Sequence, residues 1–189
     1  MAVQAGVDEA GRGALAGPVV AVAVILTPEI PIDLLHDSKK MTEAQREEAY
    51  SCILKNSPYI SVGILSHRMI DKINILQATL MAMKRAVLGL SLMPEIVLID
   101  GNRAPLMPGY TIQTIVKGDE TVPAISAASI VAKVTRDRIM SKLHTKFPQY
   151  NFDQHKGYGT QGHYDQLFKW GTSNVHRLSF NLTRQESLF

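Results

Sequence analysis

The sequence predicts an α/β or α+β domain in which helices pack on a central sheet. Three observations lead there. Two apolar, strand-like runs follow one another near the start and are separated by a glycine-rich turn. The segment "EIVLID" is apolar between two acids, as a strand covered on both faces should be. Helical periodicities lie between and after these runs.

In chain order, Val3 to Asp8 and Pro18 to Leu26 read as strands flanking the turn Gly11 to Gly17. The apolar run Leu15 to Leu26 is broken by Gly17 and Pro18 and is too short to cross a bilayer. Thr42 with Gln45 makes a capping box for a helix through about Ile53. Tyr59 to Leu65 is a third strand. Met69, Ile73, Leu76, Leu80, Met83, Val87 and Leu90 form one apolar stripe, which predicts a single long helix that Ser66 can cap. Glu95 to Asp100 and Tyr110 to Val116 complete the strands. A helix is expected from about Pro123 to Thr145, its Ala127, Ala128 and Ala132 allowing close backbone approach, and another from Thr160 to Lys169. No linker interrupts the pattern, so residues 1–189 are expected to form one domain, with a short surface tail over about 180–189.

With 46% hydrophobic and 20% charged residues, the chain has ample material for a core and no disordered signature. The lone Cys52 cannot form an internal disulfide. Asp8, Glu9 and Arg12 stand where a signal peptide would place a basic leader and an apolar segment, so a soluble, cytoplasmic protein is expected. Net charge is +3, but residues 1–100 carry −2 and residues 101–189 carry +5. A basic C-terminal half suits a polyanionic partner, although a solvated surface would look alike.

The chemistry concentrates in Asp8-Glu9-Ala10-Gly11-Arg12-Gly13. Two carboxylates at the end of a buried strand repel each other and are disfavoured by desolvation. A hard divalent cation, magnesium or manganese, relieves both problems. Strand alternation sends neighbouring side chains to opposite faces, so Asp8 and Glu9 can share an ion only if the strand ends at Asp8. Taken alone, the pair also fits a surface strand end with Arg12 as counter-ion. Gly11 and Gly13 would let backbone amides approach a ligand, and Arg12 offers a planar donor to phosphate. Asp100 closes the fourth strand, at the end where α/β proteins place functional groups. Lys133 and Asp137 lie one helical turn apart, as a simple ion pair would. If these acids converge, they form an oxygen cage for two cations about 3.5–4 Å apart, suited to phosphodiester hydrolysis.

The whole pattern resembles the bacterial ribonucleases H of type II. The residues that carry it are "GVDEAGRGALAGPVVAVAVIL", "DSKKMTEAQRE", "NILQATLMAMKRAV", "VLIDGN", "VKGDETVPAISAASIVAKVTRDR" and "HKGYGTQGHYDQLFKWGTSNVHRLSF", in that order over nearly the whole chain. The resemblance implies a ribonuclease H-like fold, a five-stranded mixed sheet flanked by helices with extra C-terminal helices. It implies an endoribonuclease that cuts the RNA strand of RNA–DNA hybrids, and cuts on the 5′ side of single ribonucleotides in duplex DNA, leaving 5′-phosphate and 3′-hydroxyl ends. Asp8, Glu9, Asp100 and Asp137 then correspond to the catalytic, metal-holding acids, with Mn2+ or Mg2+ as cofactor. Gly11, Arg12 and Gly13 correspond to the stretch that contacts the ribose 2′-hydroxyl. Tyr158 corresponds to the tyrosine that packs on the neighbouring deoxyribose, and Lys39 falls near the nucleic-acid backbone.

His155, His163 and His176 receive no catalytic role. Ala14 and Asn174 stand where proline is common in the family, which affects loop stiffness rather than chemistry. The sister type III enzymes carry an extra N-terminal domain, which is not expected here because five residues precede Gly6. A monomer is expected. Two other readings compete: a nucleic-acid-binding module without catalysis, which would gain nothing from acids set against phosphates, and a small-ester phosphatase, which would not need a basic C-terminal half or Tyr158.

Overall fold

The computed structural model describes residues 2–35, 38 and 40–183. Its sheet is built from β1 (Gln4–Ala10), β2 (Val19–Ile25), β3 (Ile60–Leu65), β4 (Ile96–Asp100) and β5 (Thr111–Ile115), in the order β3-β2-β1-β4-β5. The first three strands pair antiparallel, while β1–β4 and β4–β5 pair parallel, so β1 joins the two halves of a mixed sheet.

The helices are α1 (Glu43–Asn56), α2 (His67–Ile73), α3 (Ile75–Leu88), α4 (Gly118–Thr121), α5 (Pro123–Lys146), α6 (Phe152–His155) and α7 (Gln161–Trp170). They cover both faces of β2. Val19, Ala21 and Ala23 pack with Val7, Val97 and Ile99 beneath α2 and α3. Val20, Val22 and Val24 pack with Ala49 and Ile53 of α1 and Ala127, Ala128 and Val131 of α5. Period-two alternation with apolar residues on both sides explains why this strand reads as an unbroken apolar run. The expected capping box forms at Thr42 and Gln45, and the small side chains of α5 bring it hard against β1. A Cβ on Gly6 would stand 2.1 Å from the Ala124 carbonyl carbon, so only glycine fits there.

Two expectations about the elements change. The apolar stripe from Met69 to Leu90 spans two helices, not one, because Asn74 adopts φ 66° and ψ 165° and ends α2. Its side chain then accepts the Gln77 amide N–H at 3.0 Å and caps α3. A one-residue break that is also a cap leaves the hydrophobic stripe intact, so periodicity alone cannot detect it. The other change concerns β1, which continues to Ala10 because β2 pairs with it as far as Ala10↔Val20.

After α5 the chain forms α6 and α7 over a third cluster, in which Leu15 and Ala16 pack with Met140, Tyr150, Phe152 and Leu167. These are the extra C-terminal helices that the resemblance implies. Among the described residues no helix is long and apolar enough to cross a membrane.

Candidate active site

A cleft of about 570 Å³ opens at the C-terminal end of β1 and β4. Its walls are Asp8, Glu9, the turn Gly11 to Gly13, Asp100, Ser129, Lys133 and Tyr158, with Ser38 and Arg46 beyond. The sheet itself creates the opening. Pairing between β1 and β4 stops at Val7↔Ile99, whereas β1 runs on beside β2. Asp8 and Glu9 therefore border the gap beyond the last β1–β4 pair. Both line one cleft although the strand does not end at Asp8, which replaces the condition drawn from alternation alone.

Asp8 is buried. Its Oδ1 accepts the Glu9 amide N–H at 2.7 Å, and the Ser129 side chain offers it a hydrogen bond. Ser129 is in turn 2.9 Å from Ser38 Oγ, and Arg46 Nη1 donates to the Ser38 carbonyl at 2.8 Å. Burial, then repulsion from Glu9 and Asp100, raises the Asp8 pKa well above the usual carboxylate range. Burial also raises Glu9, and Asp100 adds to it, against the Arg12 guanidinium that donates to Glu9 Oε1 at 3.2 Å. Among the described residues the other oxygen, Glu9 Oε2, is buried without a hydrogen-bond partner. Asp100 Oδ1 accepts the Gly118 amide N–H at 2.7 Å, which fixes the carboxylate at the end of β4. Among the described residues no three His, Cys, Asp or Glu side chains are closed around one point that could hold an ion.

Asp137 is placed differently. It does not line the cleft, and its two oxygens take Lys133 Nζ at 2.7 and 2.8 Å, the i,i+4 ion pair that the spacing also allowed. Lys39 lies outside the described residues. The sequence reading passed over Asp119, which is 3% exposed and follows the residue whose amide holds Asp100. A lone acid in a Gly-Asp turn carries no signal until that contact is known.

The turn is held from behind by parts of the chain far from it in sequence. The Leu15 amide N–H donates to the Gly157 carbonyl at 2.8 Å, and the Arg177 amide to the Leu15 carbonyl at 2.8 Å. Isolated bridges pair Ala14 with Tyr158 and Ala16 with His176, which brings Tyr158 to the wall beside the turn. The reading of the sequence also missed two arginines beneath it. Arg177, wholly buried, donates to the carbonyls of Gly11 (2.7 Å), Arg12 (2.8 Å), Gly17 (3.0 Å) and Pro18 (3.1 Å). Arg136, 1% exposed, donates to those of Ala16 (3.1 Å), Pro18 (3.0 Å) and Lys156 (2.9 Å). Its guanidinium lies 5.1 Å from the centre of the Tyr158 ring. Burial, then repulsion from Arg136, pushes Arg177 down to about 9.

The histidines form the next layer. His163 Nε2 is 3.0 Å from His176 Nε2, and His163 Nδ1 is 3.0 Å from the Tyr158 carbonyl. His155 stacks on His163 at 4.3 Å and accepts the Gly157 amide. Burial lowers all three, to about 4 for His163 and His176. They are polar packing beneath the Tyr158 loop, none of them lining the cleft.

Comparisons with known proteins agree with this architecture. A family model described as Ribonuclease HII matches residues 5–183. A ribonuclease HII from Coxiella burnetii (strain Dugway 5J108-111) is 53% identical over 185 residues, covering 98% of this chain and 91% of that protein. The ribonuclease HII of Archaeoglobus fulgidus, solved in a complex with PCNA, superposes with a TM-score of 0.82 at 28% identity over 98% of each chain. Bst ribonuclease HIII, solved with Mn2+, shares the fold at a TM-score of 0.71 and 16% identity, over 96% of this chain and 68% of that one. The chain belongs to the ribonuclease HII family and is a ribonuclease built on the ribonuclease H-like fold.

Proposed function

We propose that this ribonuclease hydrolyses the RNA strand of RNA–DNA hybrids and cuts on the 5′ side of single ribonucleotides embedded in duplex DNA, leaving 5′-phosphate and 3′-hydroxyl ends. The observation that carries this reading is the cleft itself, where Asp8, Glu9 and Asp100 face a glycine-arginine-glycine turn and a tyrosine. The acids fit a hard divalent cation, magnesium or manganese. They supply only oxygen donors, one buried oxygen has no partner among the described residues, and their mutual repulsion needs a positive charge. The Mn2+ bound by Bst ribonuclease HIII supports the same chemistry. When bound, the cation supplies the positive charge that attack on a phosphodiester requires.

The chain's own groups do the remainder. Asp8, Glu9 and Asp100 hold the ion, and Arg12 meets a phosphate. The turn amides bind the 2′-hydroxyl, the group that distinguishes RNA from DNA. A site built to bond a hydroxyl rejects the analogue lacking it by roughly 10⁴–10⁵-fold, because its own polar groups are left unpaired. Tyr158 packs on the following deoxyribose. For a fourth carboxylate, burial beside the Asp100 contact favours Asp119 over the Asp137 that the resemblance suggests.

The test is labelled duplex DNA carrying one ribonucleotide, with magnesium or manganese and with a chelator. Cleavage 5′ to the ribonucleotide, abolished by the chelator, is expected. Asp8→Asn should lower it by about 100-fold or more while the protein stays folded. Binding without cleavage would select the inactive module instead. Asp119→Asn should be the more damaging of the Asp119 and Asp137 changes, and the reverse order restores Asp137.

A further inference from the structure

Two guanidinium groups sit fully inside this protein, and among the described residues neither forms an ion pair with a carboxylate. Among the described residues every hydrogen bond they make goes to a backbone carbonyl, and six residues receive them: Gly11, Arg12, Ala16, Gly17, Pro18 and Lys156. Burying two cations without counter-charges is unfavourable, and apolar side chains of similar volume would often serve stability as well or better. The arrangement calls for a purpose other than stability.

Peptide geometry supplies one. No described peptide bond is cis, and in a trans peptide the C=O and the following N–H point in opposite directions. Arg177 draws the carbonyls of Gly11 and Arg12 inward. The amide N–H groups of Arg12 and Gly13 are thereby turned away from Arg177, and both residues line the cleft. Among the described residues neither amide donates to a protein acceptor. Arg136 ties the same frame to the carbonyl of Lys156, two residues before Tyr158, and lies against the Tyr158 ring.

We propose that Arg177 and Arg136 are positioning residues for ribose recognition, aiming the Arg12 and Gly13 amides at the 2′-oxygen and holding Tyr158 in register with them. This rests on the 2′-hydroxyl reading above. Lysine keeps the charge of either residue but not the planar fork of donors, so it separates charge from geometry.

The experiment compares kcat/KM on two duplexes that differ in one group, a single embedded ribonucleotide with its 2′-hydroxyl or with 2′-fluorine. Wild type, Arg177→Lys and Arg136→Lys are measured at a temperature below the melting transition of each. The hydroxyl-to-fluorine ratio should be large in wild type and fall by about tenfold or more in Arg177→Lys, with Arg136→Lys as the second, independent variant. A merely structural role would slow both substrates alike. A ratio within twofold of wild type in both folded variants overturns the positioning role and leaves the 2′-hydroxyl reading standing. A wild-type enzyme indifferent to the substitution overturns that reading and this one together.

Discussion

Gly11 and Gly13 look alike in the sequence but are under different constraints. Gly11 has φ +93°, and a Cβ there would lie 1.9 Å from Arg136 Nε. Gly13 has open space around the same position. Gly11→Ala should therefore destabilise the protein by about 1–3 kcal/mol, the usual result of overpacking a filled site, and displace Arg136 from its carbonyls. Gly13→Ala should leave stability within about 0.5 kcal/mol of wild type, so any activity it loses reports on the substrate. Thermal melting of both variants checks this, and equal melting temperatures would contradict the difference. The sequence marks both glycines because composition marks them. It cannot show that one of them faces an arginine 125 residues further along the chain.

At the level of elements, the sequence conveys what depends on local chemistry. The five strands, the capping box at Thr42, the small residues of α5 and the start of α7 at its Thr160 cap are all visible in residue type and spacing. It conveys less where one element acts on another. The break at Asn74 keeps the apolar stripe in phase. The cleft depends on β4 releasing β1 after Val7, which is a matter of register between segments about ninety residues apart. The histidine layer is likewise an inter-element feature, linking α7 to the 173–176 segment. It carries a pH signature. With folded pKa values pushed down to about 4, His163 and His176 stay neutral in the native state while the unfolded chain takes up protons below about 6.5. Their contribution is whole above pH 6.5 and is lost as pH falls toward 4. Melting temperature should drop between pH 7 and pH 5, and His176→Asn should flatten that slope. An unaltered slope would remove the pair from the account.

Across the molecule, the cleft opposes the histidines. Asp8 and Glu9 have raised pKa values, so their share of stability is fully present below the unfolded carboxylate pKa of about 4 and is lost as pH rises through the folded values. A cation that neutralises them should stabilise the protein more at pH 8 than at pH 5. Magnesium or manganese against chelator should raise the melting temperature at pH 8 by at least about 3 °C, the shift that roughly 1 kcal/mol produces in a chain of this size. Asp8→Asn should shrink that increment, and an increment identical at both pH values would argue against the cleft as the binding site. The Arg177 clamp on Gly11 has a further consequence, for the order in which the molecule is made. The two residues are separated by 166 positions. Loop closure over such a span adds little to equilibrium free energy, since each doubling of length contributes only about 0.6 kcal/mol. Its weight falls on timing. On a ribosome the turn emerges 166 residues before the guanidinium that holds it. A nascent chain thus carries the acids long before it carries a clamped turn, and the wall they face takes its shape only once residue 177 has been made.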